Sequence, residues 1–94
     1  MEFLVVARDG TDEGAPGRRL AAREAHLAGV RAMAEDGAMI CGGALLDDAG
    51  EMAGSACIVA FEDRAALDAW LASDPYVTGD VWREIEVTPC RRAV

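Results

Sequence analysis

The hydrophobic and polar positions of this chain fall into blocks that predict four strands. Three blocks are largely apolar, as in buried strands: Glu2 to Arg8, Ala38 to Leu46 and Glu51 to Phe61. The first of them is a continuous β-branched and apolar run. The fourth, Val81 to Thr88, alternates apolar and acidic positions as a half-exposed edge strand does. The segment Asp47 to Gly50 suits a type I turn with glycine in the left-handed position, so we expect the second and third strands to form a hairpin.

Two segments between the strands carry apolar residues at helical spacing. The first is predicted to run from near Arg18 to about Asp36, where Gly37 ends it. Its predicted buried stripe consists of Leu20, Leu27, Val30 and Ala34. Charged residues are expected mostly outside that stripe: Arg19, Arg23, Glu24, Arg31 and Glu35.

The second helix is predicted to open at Asp63, whose carboxylate can accept hydrogen bonds from the free amides of a first turn. Its apolar face consists of Ala66, Leu67, Trp70 and Leu71. It is predicted to end at Asp74, because Pro75 disfavours helical geometry in the residue before it. Together the elements follow the order βαββαβ.

This order predicts an α+β fold of the ferredoxin-like class, in which two helices cover one face of a four-stranded antiparallel sheet. With no repeat and no internal linker, residues 1–94 are expected to form a single domain. The first three strands are apolar at odd and even positions alike, whereas antiparallel strands with one wet face normally alternate. A second copy of the chain would cover the remaining face, so we predict a homodimer through the open face of the sheet.

Composition and charge exclude several classes of function. The net charge of −8 opposes binding to a nucleic acid backbone, which depends on basic residues that neutralise phosphates. No apolar run approaches the roughly 18 residues of a membrane span, and no export signal is recognisable, so we expect a cytoplasmic protein without a membrane partner. All nine basic residues are arginines, which excludes a Schiff base or a cofactor tethered through lysine.

The thiols and the single imidazole offer little for a metal site. Cys41, Cys57 and Cys90 lack CxxC spacing and are expected to be reduced in the cytoplasm. One histidine without a paired ligand motif does not indicate a structural zinc site. We therefore expect neither a metal ion nor an organic cofactor.

His26 and Asp74 are the candidate catalytic pair. Histidine exchanges protons near neutral pH, and a carboxylate partner fixes its tautomer. His26 is expected at the margin of the helical stripe, half buried at most. The second helix should run antiparallel to the first, which returns the chain after it to the end where the first helix starts. The alternative is that His26 rims the core and Asp74 merely ends a helix.

A set of short motifs, ordered along nearly the whole chain, resembles the YCII-related family. The motifs are Arg23-x-x-His26-Leu27, Gly37, Gly42-Gly43-Ala44-Leu45, Gly54-Ser55, Ser73-Asp74-Pro75-Tyr76 with Gly79, and Pro89. The resemblance implies a dimeric α+β barrel and an active site built on a histidine and an aspartate, which correspond here to His26 and Asp74. Gly43-Ala44 departs from the usual Gly-Pro of the family, a difference that concerns the pocket wall.

The resemblance also indicates a class of chemistry. The family includes a member implicated in dehydrochlorination of a chlorinated hydroxyhydroquinone, and its fold resembles that of muconolactone isomerases. By analogy we expect a small-molecule ligand and an acid-base elimination, isomerisation or hydrolysis of oxygenated ring compounds. The candidate substrate-binding residues are Arg23, Ser55, Ser73 and Tyr76.

Other interpretations stay open. Arg23 also fits a solvated helix face, and the two serines fit a packed strand and a helix end. The same cavity could belong to a non-catalytic metabolite-binding or accessory module. A third alternative is a cofactor-free oxygenase that shares the fold without the His-Asp pair.

Overall fold

The computed structural model describes all 94 residues and follows the predicted βαββαβ order, with one extra helical turn. The elements are β1 Glu2–Asp9, α1 Ala15–Asp36, β2 Met39–Leu46, β3 Met52–Ala60, α2 Arg64–Ser73, α3 Pro75–Thr78 and β4 Trp82–Cys90. Helix α1 begins at Ala15 rather than near Arg18, because Pro16 fits the first helical turn, where its missing N–H has no partner to lose. No helix combines the length and the apolar character needed to span a bilayer.

The four strands form one antiparallel sheet in the order β2-β3-β1-β4, which confirms the ferredoxin-like prediction and places β4 at an edge. The turn of the β2-β3 hairpin also agrees with the sequence. Gly50 has a φ of 81°, a left-handed conformation that glycine adopts readily. The carboxylate of Asp47 accepts hydrogen bonds from the backbone amides of Ala49 at 2.9 Å and Glu51 at 3.0 Å.

The core lies between the sheet and the helices. Alternate residues of β1, Phe3, Val5 and Ala7, are buried on this face. Leu67 of α2 has no exposed surface and packs in one cluster with Phe3 and Val5, whereas Ala7 packs with Tyr76 and Trp82. Asp63 caps α2 as predicted, since its carboxylate accepts a hydrogen bond from the amide of Ala66 at 2.9 Å. Burial of these alternating positions fixes the register and the side of the sheet on which the helices lie.

The opposite face of the sheet has no helix over it. Leu4 and Val6 of β1 point to this face, because strand side chains alternate, and they share it with Ile58 of β3. Leu4 retains 37% of its surface exposed. The face is apolar along β1 and β3, as the sequence predicts, whereas β4 contributes Glu84 and Glu86 at its margin.

The buried stripe of α1 differs from the predicted one. Leu20 is 75% exposed and Ala34 is also exposed, so these two assignments are wrong. The inward positions are Arg19, Ala22, His26, Val30 and Met33. Two of these five residues, Arg19 and His26, are polar. A prediction that looks for apolar residues at helical spacing passes over them and selects a neighbouring stripe instead. The expectation that His26 is half buried is wrong as well, because only 8% of its surface is exposed.

Candidate active site

His26 of α1 and Asp74, the residue between α2 and α3, meet in the interior at the end of the helical layer. The imidazole Nδ1 lies 2.8 Å from Oδ1 and 3.0 Å from Oδ2 of Asp74. Asp74 is 4% exposed, so the contact is shielded from bulk water on the carboxylate side. The packing of the short helix α3 against α1 thus brings together two residues that are 48 positions apart.

The backbone around Asp74 holds its carboxylate in place. Asp74 is extended, with φ −68° and ψ 134°, as expected for a residue that precedes proline. Its Oδ1 also accepts a hydrogen bond from the backbone amide of Tyr76 at 2.8 Å, and its carbonyl oxygen accepts from the amide of Val77 at 2.8 Å. The proline that ends α2 therefore also starts the turn that orients the carboxylate.

The contact with Asp74 fixes the roles of the two imidazole nitrogens. An ionised carboxylate only accepts hydrogen bonds, so Nδ1 of His26 must be the donor in this contact. In the neutral ring Nε2 then carries the free lone pair. Nε2 of His26 has no hydrogen-bond partner in the chain. Only one side-chain nitrogen or oxygen of the protein is both fully buried and without a partner, the Nε of Arg19, so Nε2 of His26 keeps some access to solvent.

Two aromatic side chains fix the plane of the imidazole. The ring of Tyr76 stacks on His26 with centroids 3.8 Å apart and an interplanar angle of 11°. Trp82 of β4 approaches the imidazole edgewise, at 5.4 Å and 77°. With the plane held by stacking and Nδ1 held by Asp74, the direction of Nε2 is fixed by the protein itself.

Arg19 is a site residue that sequence reasoning missed. Its Nη1 donates to both carboxylate oxygens of Asp9, at 2.9 and 2.8 Å, and the two side chains are only 9% and 6% exposed. Its Nη2 donates to the carbonyl of Gly54 at 3.2 Å and to Ser55 Oγ at 3.3 Å. The guanidinium also lies over the ring of Tyr76, 4.9 Å from its centroid. Its spacing of two helical turns before His26 is the signal that could have placed it on the same face.

A cavity of about 210 Å³ lies beside these groups, between α1 and the β2-β3 hairpin. Most of its lining is apolar, and the polar groups on its wall include Arg19, Arg23, His26 and Ser55. Such a cavity suits one small molecule, oriented by a few polar contacts. Cys57 also lines it, and burial raises the pKa of this thiol to about 12, so the thiol stays neutral.

The structure brings most of the predicted site residues to this cavity. Arg23, Ser55 and Tyr76 line it together with His26. Arg23 is exposed and forms no ion pair within the chain, while burial raises the pKa of the Tyr76 phenol. Ser73 does not reach the cavity: it is exposed, and its hydroxyl donates to the carbonyl of Trp70 at 2.9 Å.

No three histidine, cysteine, aspartate or glutamate side chains come together in a group that could hold a metal ion. All three cysteines are free thiols, and Cys41 and Cys57 are offset in register, with Cys41 opposite Ile58 and Cys57 opposite Gly42. The polar groups that the cavity offers for chemistry include the imidazole with the carboxylate behind it, the arginines and the Ser55 hydroxyl.

Known proteins resemble this chain over nearly its full length. The YCII-related domain family matches residues 1–91. Protein YciI of Escherichia coli O6:H1 is 31% identical over 98 residues, covering 98% of this chain and 98% of that protein. An uncharacterized protein of Haemophilus influenzae is 32% identical over 100 residues with the same coverage.

Two solved structures share the fold. One is 5-chloro-2-hydroxyhydroquinone dehydrochlorinase, TftG, from Burkholderia phenoliruptrix AC1100 in complex with 2,5-dihydroxybenzoquinone. It matches with a TM-score of 0.85 at 22% identity over 99% of this chain and 96% of that chain. The other is a dimeric ferredoxin-like protein of unknown function from Jannaschia sp. CCS1, with a TM-score of 0.53 at 20% identity over 97% and 98% of the two chains.

Proposed function

The chain belongs to the family of YCII-related domains, and from that premise we propose that it is an enzyme acting on small oxygenated ring compounds. His26 would accept and return protons, and Asp74 would orient it. The observation that carries the proposal is the 2.8 Å contact of Nδ1 with Asp74, which leaves Nε2 unpaired beside a mostly apolar cavity. A buried, fixed imidazole with one free nitrogen is the arrangement that general acid-base catalysis requires.

The proposed step is a proton transfer at a position next to a carbonyl group. Nε2 of His26 takes the proton, the electron pair of the broken C–H bond forms a C=C bond, and the π pair of the C=O bond moves onto the oxygen to give an enolate. Where the enolate is conjugated with a second double bond, return of the proton to the far carbon of that system re-forms the C=O bond and completes an isomerisation. Where the carbon next to the deprotonated one carries a leaving group, the C=O bond re-forms and the leaving group departs with its electron pair, which completes an elimination. Asp74 stabilises the imidazolium formed in the first half of either reaction.

The substrate class is proposed from the cavity and from one structural neighbour. TftG is described as a dehydrochlorinase of a chlorinated hydroxyhydroquinone, and its structure holds 2,5-dihydroxybenzoquinone. A cavity of about 210 Å³ with mostly apolar walls suits a single ring of this kind. Arg23, which has no carboxylate partner, is available for an ionised substituent, and Tyr76 forms part of the wall.

We also propose that the protein works as a homodimer through the open sheet face. That face presents Leu4, Val6 and Ile58 without any covering element, and a contiguous apolar surface is normally buried in a soluble protein. The neighbour from Jannaschia is described as dimeric and ferredoxin-like. A second sheet packed on this face would produce the α+β barrel that the family resemblance implies.

The proposal is tested with 2,5-dihydroxybenzoquinone and a panel of hydroxylated aromatics and lactones, comparing the parent protein with His26→Asn. We expect at least one compound to be turned over by the parent. The variant should bind that compound with similar affinity but convert it roughly a hundred- to ten-thousandfold more slowly, because binding groups remain while the base is lost. Calorimetry measures binding, and absorbance or proton NMR measures turnover.

Two results would contradict the proposal. If His26→Asn retains the parent rate, His26 is not the proton acceptor. If the parent binds a compound tightly but converts none of the panel, the protein is a metabolite-binding module rather than an enzyme. As a matched control, Arg64→Gln removes an exposed arginine of α2, paired with Asp68 at 2.8 Å, and should leave both binding and rate unchanged.

A further inference from the structure

The hydroxyl of Ser55 receives two hydrogen bonds from groups that can only donate. Ser55 lies on β3, opposite Ala7, and its side chain is on the helix-covered face of the sheet. Arg19 Nη2 donates to its Oγ at 3.3 Å, and Trp82 Nε1 donates to the same oxygen at 3.2 Å. The Trp82 bond is at the long end of the usual range and the Arg19 bond is slightly longer. Their direction is fixed, because neither a guanidinium nor an indole N–H can accept a hydrogen bond.

These two hydrogen bonds determine the remaining hydrogen-bonding capacity of the Ser55 hydroxyl. A hydroxyl group has two acceptor lone pairs and one proton. Both lone pairs are occupied, and the proton is donated to no acceptor within the chain. Ser55 lines the cavity together with His26, so the unused capacity of this side chain is a single donor at the wall of the cavity.

We propose that Ser55 donates a hydrogen bond to the oxygen of the substrate that becomes negatively charged when His26 removes a proton, and that Arg19 and Trp82 are the residues that position this hydroxyl. The inference rests on the proposed function and adds a binding site for an oxyanion to it. No covalent bond forms at Ser55. The negative charge produced by deprotonation stays on the substrate oxygen, and the proton stays on His26 until it is returned.

The surroundings favour this role electrostatically. Arg19 places a cation directly behind the hydroxyl oxygen, which strengthens the O–H as a donor. The guanidinium is itself fixed, because Asp9 holds Nη1 and the carbonyl of Gly54 holds Nη2. A donor fixed in advance in a largely apolar cavity stabilises a developing negative charge without having to reorganise during the reaction.

Trp82 couples the proposed oxyanion donor to the base. Its indole N–H contacts Ser55, while its ring lies edgewise against the imidazole of His26, with centroids 5.4 Å apart. The same side chain therefore sets the position of Ser55 relative to His26. A ligand that uses both His26 and Ser55 must lose a proton in a way that places the negative charge on an oxygen. This requirement selects phenols, cyclic enols and cyclic hydroxyketones over hydrocarbons and amines.

A purely structural role for Ser55 predicts something different. In that case the hydroxyl serves only to satisfy the buried N–H groups of Arg19 and Trp82. Ser55→Ala would then lower the free energy of unfolding, because two donors lose their acceptor, without changing how a bound ligand ionises. The ionisation of a bound phenol therefore separates the two roles.

The experiment uses 4-nitrophenol, whose absorbance reports its ionisation, with the full-length parent protein and with His26→Asn. We expect the ionisation midpoint of the bound phenol to lie below that of the free phenol in both proteins, because the donor stabilises the phenolate. Ser55→Ala should return the midpoint toward the free value, and Ser55→Thr, which keeps the hydroxyl, should preserve the shift. Thr11→Ala removes an exposed hydroxyl in the loop after β1 and should leave the shift unchanged.

Trp82→Phe provides a second variant in case Ser55→Ala does not fold. It frees one lone pair of Ser55 and lets the hydroxyl turn away, so the shift should shrink while the hydroxyl remains. An unaltered midpoint in Ser55→Ala, or in Trp82→Phe if the alanine variant is unfolded, overturns the inference. Failure of the parent to bind the phenol saturably overturns the proposed ligand class.

The outcomes also separate this inference from the proposed catalytic function. A shift that depends on Ser55, in a parent protein that converts none of the panel, leaves the oxyanion site standing and removes the catalytic proposal. If the ionisation midpoint of the bound phenol does not shift, but His26→Asn abolishes turnover, the catalytic proposal stands and the oxyanion site at Ser55 is removed. If both hold, Ser55→Ala should also reduce turnover by roughly a hundred- to a thousandfold.

Discussion

Arg19 and His26 lie two turns apart on one buried face of α1, and each is paired with a carboxylate from a different element. Arg19 contacts Asp9 at the end of β1, at 2.8 Å, and His26 contacts Asp74 after α2, also at 2.8 Å. Buried charges and polar rings require such partners, since desolvation without a partner is costly. The helix face that would normally complete the core instead forms the polar part of the cavity wall.

The tautomer of His26 provides the first prediction. Asp74→Asn keeps an oxygen that can accept from the Tyr76 amide, so the turn should persist, but it removes the charge that holds the proton on Nδ1. We expect the nitrogen-15 NMR spectrum of the imidazole to change from the Nδ1–H form toward the Nε2–H form. Turnover should fall by roughly a hundred- to ten-thousandfold. An imidazole spectrum identical to that of the parent would rule out the orienting role of Asp74.

Two leucines that differ in burial give a matched pair of substitutions, which tests the exposed position of Leu20 on α1. Leu67 of α2 is fully buried, and Leu20 of α1 is 75% exposed. Leu67→Ala should lower the free energy of unfolding by about 2 to 5 kcal/mol, because it removes packed methyl groups and leaves a cavity. Leu20→Ala should change it by less than about 0.5 kcal/mol. Urea unfolding measures both values, and a loss for Leu20→Ala as large as that for Leu67→Ala would show that Leu20 is buried.

The buried thiol of Cys57 makes stability depend on pH in the alkaline range. Burial raises its pKa from 9.0 to about 12, so the folded chain keeps a proton that the unfolded chain loses. The corresponding stability is fully present below pH 9 and is lost as the pH rises from 9 to 12, with a slope of up to about 1.4 kcal/mol per pH unit.

Chemical denaturation at several pH values measures this slope, and Cys57→Ala should reduce it. Alkylation gives an independent check at neutral pH. The exposed Cys41 should react with iodoacetamide in the folded protein, whereas Cys57 should react only after unfolding. Rapid alkylation of Cys57 in the native state would contradict the neutral, buried thiol.

The open sheet face provides a test of assembly. Leu4 lies on that face, and Leu4→Arg would place an unpaired charge in the proposed dimer interface. Sedimentation equilibrium should show a dimer for the parent and a monomer, or a much weaker dimer, for this variant. Leu20→Arg makes the same change on the exposed side of α1 and should leave the dimer intact. A parent protein that is monomeric at micromolar concentration would refute the interface.

The sequence by itself determined the order of the elements and most of their boundaries, because these depend on local physics. Alternation and β-branched runs define the strands, Gly37 and Asp63 define helix ends, and Gly50 defines the hairpin turn. Asp74 could also be predicted as a helix end from Pro75 alone. The expected course of the two helices suggested His26 and Asp74 as a pair, the family resemblance strengthened that suggestion, and the structure brings their side chains into contact.

Only the tertiary structure decided which residues form the cavity wall. A prediction from hydrophobic periodicity assigns polar residues to the exposed side of a helix, so it could not assign Arg19 or His26 to the buried side. Each of these two side chains is stable in the interior because a carboxylate from another element pairs with it. Ser73 and Ser55 likewise look equivalent in the sequence as small polar residues. In the structure Ser73 donates a hydrogen bond to a helical carbonyl, whereas Ser55 accepts hydrogen bonds from Arg19 and Trp82. Partners that come from other strands and helices are invisible to local patterns, and they are what make these positions chemically distinct.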